Sequence, residues 1–245
     1  MELGVYQRMY DAQDSFWWHK GMRRFFSLFL NAYVGGTDNV ILDLGCGTGA
    51  LFAALRPYGA IYGIDIAEEA VRYARKQGMA REVISGNAIA LPFAPDTFDV
   101  VVCSDLLYHA QVSDERAVIS EIHRVLKPHG VVVIKEAAYD WLRSRMDELV
   151  HTKHRFTAPE LKDDLLAAHF HVCRITYIMT ILFPLALAAR LFERIFRQKY
   201  DPSRIFTTGT ALNTLFTLLL YGEASLTQKM NFPFGLSIIA VAKKP

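Results

Sequence analysis

Residues 41–50 read ILDLGCGTGA, an apolar run that passes directly into a loop of alternating glycines. A buried strand followed by such a loop and then a helical pattern is the start of an open α/β sheet, where glycine lets backbone approach a ligand and the helix N-terminus offers N–H groups to an anion. The glycines fit two patterns. Gly45, Gly47 and Ala50 satisfy GxGxxG/A, the loop that holds a dinucleotide pyrophosphate. Gly45, Gly47 and Gly49 give GxGxG, a loop suited to a nucleoside that carries a single carboxylate.

Outward from this loop the same alternation continues. Strands are expected at 40–44, 60–65, 82–85, 98–104 and 130–136, separated by helical patterns at 51–59, 68–78 and 113–130, the last closing at Pro128-His129-Gly130. Strand, crossover helix and strand in succession predict a doubly wound parallel sheet. Beyond Glu136 a helix is expected from Trp141 to Val150. Thr157 and Glu160 then form a capping box for a further helix, and a strand follows at 171–177. The last strand, 235–244, arrives only after a long apolar insertion.

Composition sets outer bounds. The chain has 245 residues, of which 52% are apolar, enough for a full core. Its 27 basic and 25 acidic side chains leave a net charge of +2, which provides no electrostatic footprint for nucleic acid. Cys46, Cys103 and Cys173 are widely spaced and form no disulfide framework. The first residues lack the basic and apolar regions of a secretory leader, so a cytoplasmic protein is expected.

Asp43 discriminates between the two ligands of the glycine loop. It stands two residues before Gly45, where a pyrophosphate meets like charge, whereas the ammonium and sulfonium of S-adenosylmethionine (SAM) meet an opposite one. Asp65 ends the second strand, where a carboxylate can accept both hydroxyls of a ribose. Asn87 offers an amide to adenine, beside an apolar wall of Ala88, Ile89 and Leu91.

Taken in order, DLGCGTG, GIDI, GNAIALPF, FDVVVCSDLLYH and RVLKPHGVVVI resemble the class I SAM-dependent methyltransferases, in particular the type 11 group. The resemblance spans roughly residues 38–137. It implies a Rossmann-like, doubly wound seven-stranded α/β sheet whose last strand is antiparallel, with SAM held by Asp43, Gly45, Cys46, Gly47, Gly49, Asp65, Ile66, Asn87, Ala88, Asp105 and Leu106. One departure is Asn87, where many relatives place Asp. The weaker matches FWWHKGMRR, WLRSRMDELVHTKHRFTAPEL, ILFPLALAARL and NFPFGLSIIAVAKKP resemble the flanks of a subgroup with varied small-molecule acceptors. The expected function is methyl transfer to a small, apolar or lipid-linked molecule; a SAM-binding regulator and an NAD-dependent oxidoreductase are the alternatives.

His109, beyond the fourth strand, is a candidate general base, with a purely structural role as its rival. Tyr10, Phe16, Trp17 and Trp18 can cover a sulfonium by cation–π contact or staple the first helix. His151 and His154 have metal-compatible spacing but no third ligand, so no metal site is expected; Arg155 can face an anionic acceptor. The expected organisation is a helical N-terminal cap over 1–37, a SAM-binding domain over 38–177 and 235–245, and a helical insertion over 178–234. In the insertion, residues 178–189 are apolar before Arg190, Glu193, Arg194 and Arg197, and residues 205–222 carry no charge. This pair can serve as a lid over the acceptor, as a homodimer contact, or as a surface lying on the inner face of a membrane.

Overall fold

The computed structural model describes residues 4–196 and 207–245. Arg197, and with it the stretch up to Phe206, lies outside the described residues. The first two helices are α1 (Val5–Ala12) and α2 (Trp17–Tyr33). The sheet then builds from β1 (Asn39–Leu44), β2 (Gly59–Asp65), β3 (Glu82–Ser85), β4 (Phe98–Ser104) and β5 (Leu126–Ala137), with α3 (Phe52–Leu55), α4 (Glu68–Lys76) and α5 (Glu115–Val125) between them. Short α6 (Arg145–Leu149) and α7 (Ala158–Ala167) lead to β6 (His171–Ile178). Helices α8 (Phe183–Phe196) and α9 (Thr210–Thr227) precede β7 (Ser237–Lys243).

The seven strands are ordered β3-β2-β1-β4-β5-β7-β6, and β7 runs antiparallel to both β5 and β6. The expected fold class is therefore found, with α8 and α9 inserted before the last strand. Strand order reverses between β1 and β4, which opens a crevice beyond their carboxyl ends. The glycine loop after β1 and the turn after β4 both border that crevice.

Alternation along the strands decides which side each helix covers. Ile41, Val102 and Val133 join one core with Phe25, Phe52 and Leu220; Leu42, Val101 and Val132 join the other with Ile119, Ile122 and Leu161. The apolar runs 40–42, 100–103 and 131–134 in the central strands are what a sheet buried on both faces requires.

Two expectations need correction. The helix expected over 113–130 ends at Val125, because Leu126 already pairs with Phe98 as the chain enters β5. The Trp141–Val150 helix is broken into a turn at Asp140–Leu142 and α6, where Ser144 and Asp147 form a capping box that starts the second piece. Within the insertion, Leu220 and Ala224 of α9 are buried in the main core, and Leu220 packs where a side chain at Gly21 of α2 would stand. The Thr157–Glu160 capping box of α7 forms as expected.

Candidate active site

A cavity of about 580 Å³ lies over the crevice, floored by the ends of β1, β2, β4 and β5 and roofed by α1, α2 and α8. Asp43, Gly45, Cys46, Gly47, Asp65, Ile66, Asn87, Ala88, Asp105, Leu106 and His109 all line it. Gly49 does not. A side chain at Gly49 would meet the Phe52 ring, and its φ of +83° lies in the left-handed region, so this glycine serves the turn and its packing. Gly47 differs: a Cβ there would meet nothing within 4 Å, so the loop presents open space on its cavity side.

Asp43 is almost fully buried, yet its Oδ2 has no hydrogen-bond partner. Burial, reinforced by the charge of Asp65, pushes its carboxyl up to about 7. A buried acid left with an orphaned oxygen at the foot of an open glycine loop is suited to a cationic ligand. Asp65 has already spent part of its capacity: Oδ2 accepts the N–H of Gly47 and Oδ1 that of Ala67, each at 2.9 Å. Burial raises its carboxyl, while these two N–H groups pull the other way.

Asn87 is exposed, and its Oδ1 accepts the N–H of Ile89 at 3.1 Å. The expected apolar wall is reduced to Ala88, since Leu91 is buried in the core below and Ile89 faces solvent. The described donor set therefore fits SAM best at Asp43, Asp65 and the glycine loop: one anionic carboxylate for each positive or hydroxylic part, and open backbone for the carboxylate.

The turn after β4 is shaped by a residue that local sequence did not single out. Glu136 of β5 is fully buried; its Oε1 accepts the N–H groups of Leu106 (3.2 Å) and Leu107 (2.9 Å), and its Oε2 accepts that of Tyr108 (3.3 Å). Burial, with the charge of Asp105 next, raises the Glu136 carboxyl to about 8. Its neighbour Lys135 places Nζ 2.7 Å from both oxygens of Asp105 and 5.0 Å over the ring of Trp18. The cation that Trp18 faces is thus a lysine of the sheet.

With the glycine loop, the orphaned acid and the seven-stranded order in place, relatives become informative. Residues 42–134 match the family described as Methyltransferase domain. A demethylmenaquinone methyltransferase of Geobacillus stearothermophilus is 35% identical over 127 residues, which cover 48% of this chain and 53% of that one. The chain spans about half the length of the curated relatives it matches. Among solved structures, a chain of the complex between the Haloferax volcanii Trm112 methyltransferase activator and a methyltransferase superposes with a TM-score of 0.63 at 20% identity, over 98% of this chain and 92% of that one. The [4+2]-cyclase SpnF has the same fold at 22% identity and a TM-score of 0.59, covering 91% and 81%. At such identities a likeness shows the fold alone.

The matched segment holds the residues chosen for the cofactor and His109, whereas Phe16, Trp17, Trp18, His151, His154 and Arg155, and the elements that enclose the cavity, lie outside it. His109 has its Nδ1 occupied, accepting the N–H of Gln111 at 3.2 Å. In the neutral ring this puts the proton on Nε2. Burial lowers the imidazole's basicity further. His151 and His154 follow α6 and share no helix face; His151 packs its ring 6.1 Å from that of His109. Among the described residues no group of three or more acidic, histidine or cysteine side chains could hold a metal. Arg155 is not available to an acceptor anion: it pairs with Asp147 at 2.7 and 3.0 Å and donates to the Ala138 carbonyl at 3.2 Å, all buried. It ties α6 to the end of β5 and so shapes the cavity wall.

Proposed function

We propose that this protein is a SAM-dependent methyltransferase acting on a small molecule with an apolar, lipid-linked body. The observation that carries the reading is the buried, unpartnered oxygen of Asp43 beside the open face of Gly47. Bound there, SAM would supply a methyl group on a positively charged sulfur that leaves without needing a proton. The chain's own task is then alignment. Asp43 and Asp65 hold the charged and hydroxylic parts, Asn87 and Ala88 take the base, and Glu136 fixes the 106–108 backbone that borders the reacting centre.

Part of the cavity lining beyond the cofactor residues is apolar. Ala137, Met146, Leu149, Val150 and Leu236 line the cavity, beside the polar Asp147, Thr152 and Arg155. This wall supports an acceptor with a hydrocarbon body, as does the similarity to proteins named for demethylmenaquinone, a lipid-linked quinone. His109 offers the cavity an Nε2 donor in this geometry, which favours orienting an acceptor oxygen over removing its proton.

Titration calorimetry with SAM, its demethylated product and NAD tests the cofactor. SAM and the product are expected to bind and NAD is not; binding of NAD alone would overturn the reading. Transfer of labelled methyl from SAM to demethylated quinones of increasing tail length tests the acceptor, with transfer expected to rise as the tail lengthens.

A further inference from the structure

We infer that the outer face of α8 and α9 docks on an anionic lipid bilayer. The inference deepens the reading of an apolar acceptor by naming where such a molecule is met, but it stands on a different surface. Of the fifteen large hydrophobic side chains exposed among the described residues, eleven fall between Ile181 and Phe234. Single exposed apolar residues are ordinary, whereas a concentration of this kind marks a contact surface.

On α9 the pattern is sharpest. Leu212, Leu215 and Leu218 are 52%, 48% and 63% exposed, and Tyr221 continues the stripe. The one acidic residue of this helix, Glu223, points the other way: it is fully buried and accepts the N–H groups of Thr180 and Ile181 at 2.9 Å each. The exposed face of α9 therefore carries no negative charge. Two cations stand on its borders, while Asp14 near its N-terminal end is paired with Arg23. Arg24 of α2 is exposed and places its guanidinium 5.9 Å from the Tyr221 ring, and exposed Lys229 follows the helix end.

An apolar stripe on α9 that bears no exposed acid of its own, with cations on its rim, matches the chemistry of an anionic membrane surface, where hydrocarbon lies beneath negative headgroups. No helix among the described residues is long and apolar enough to cross a membrane, so the pair would lie on the bilayer. Helix α8 links this face to the cavity: Ala186 lines the cavity while Leu185 and Phe192 are exposed on the same helix. An acceptor dissolved in the membrane would thus have one helix between it and the reacting centre.

Co-sedimentation of the full chain with vesicles tests this, using equal parts phosphatidylglycerol and phosphatidylcholine against phosphatidylcholine alone. The expected result is binding to the anionic vesicles at least tenfold tighter than to the neutral ones, weakened by added salt. The triple variant Leu212→Glu, Leu215→Glu, Leu218→Glu, all at exposed positions, is expected to lose vesicle binding at least tenfold while keeping its melting temperature and its SAM affinity. Absence of binding to anionic vesicles, or a triple variant that binds them as well as the parent, overturns the proposal. So does a dimer in sedimentation equilibrium that the same substitutions dissociate when no vesicle binding is seen, since the face would then belong to a second copy. SAM affinity is measured without vesicles, so failure of the cofactor reading is distinguishable from failure of the docking surface.

Discussion

The N–H of Gly47 lies 2.9 Å from Oδ2 of Asp65, so the carboxylate placed to receive a ribose also holds the middle of the glycine loop. Asp65→Ala is therefore expected to act twice. It removes charge-assisted bonds to the ligand, worth roughly 1–3 kcal/mol, and frees the loop that meets the ligand's carboxylate. Calorimetry should show SAM affinity falling at least tenfold, with Asp65→Asn milder because one oxygen still accepts the Gly47 amide. Unchanged affinity in Asp65→Ala would remove this residue from the site.

Asp43 couples cofactor binding to pH. Its carboxyl is raised to about 7 in the free protein, and a cation beside it would lower that value. SAM affinity should accordingly fall by about tenfold per pH unit below 7. Asp43→Asn should bind SAM far more weakly and with that dependence gone. A pH-independent affinity in the parent protein would show that the orphaned oxygen faces no cation.

The same residue gives a stability test of opposite sign. In the folded chain Asp43 keeps its proton at pH values where the unfolded chain has released it. Its contribution is thus present at low pH and lost as pH rises from the ordinary carboxylate range through about 7. Free Asp43→Asn should melt higher than the parent at pH 8, and the gap should close toward pH 4. Thermal melts across that range check it, and a variant less stable than the parent at pH 8 would refute it.

Glu136 is expected to be needed for stability and for the shape of the turn after β4. Glu136→Ala leaves three backbone N–H groups without their acceptor, each costing about 1–3 kcal/mol, partly offset by removal of a buried acid. Urea denaturation should register a net loss of about 2–4 kcal/mol. Glu136→Gln keeps the oxygen that serves Leu106 and Leu107 and should lose less than half as much.

His109→Ala should lower turnover by less than tenfold with SAM affinity unchanged. A general base contributes roughly 10²–10⁴, but the Gln111 amide occupies Nδ1 and leaves Nε2 carrying the proton. A loss beyond a hundredfold, with a pH profile that loses its lower limb, would restore His109 as the base.

Much was already legible in the sequence because it depends on neighbours in the chain. The short apolar strand runs, the loop from Gly45 to Gly49, Asp43 and Asp65 at strand ends, and the capping box at Thr157 all express local backbone geometry. They determined the fold class, the sheet edge that carries the site and the cofactor to be tested. The tertiary structure alone decided how those residues are used. Glu136 reaches Leu107 across two adjacent strands, Lys135 meets Asp105 and Trp18 from three elements, and Arg155 is consumed by Asp147. The covering of α2 by α9 pairs Gly21 with Leu220, about two hundred positions apart. Such contacts follow from the way strand order and helix packing bring distant segments together, and no spacing along the chain encodes them. The helix expected at Trp141–Val150 broke for the same reason, since the backbone N–H of Arg155 is held by Asp140 and its guanidinium by Asp147, within a cavity wall that only the assembled sheet creates.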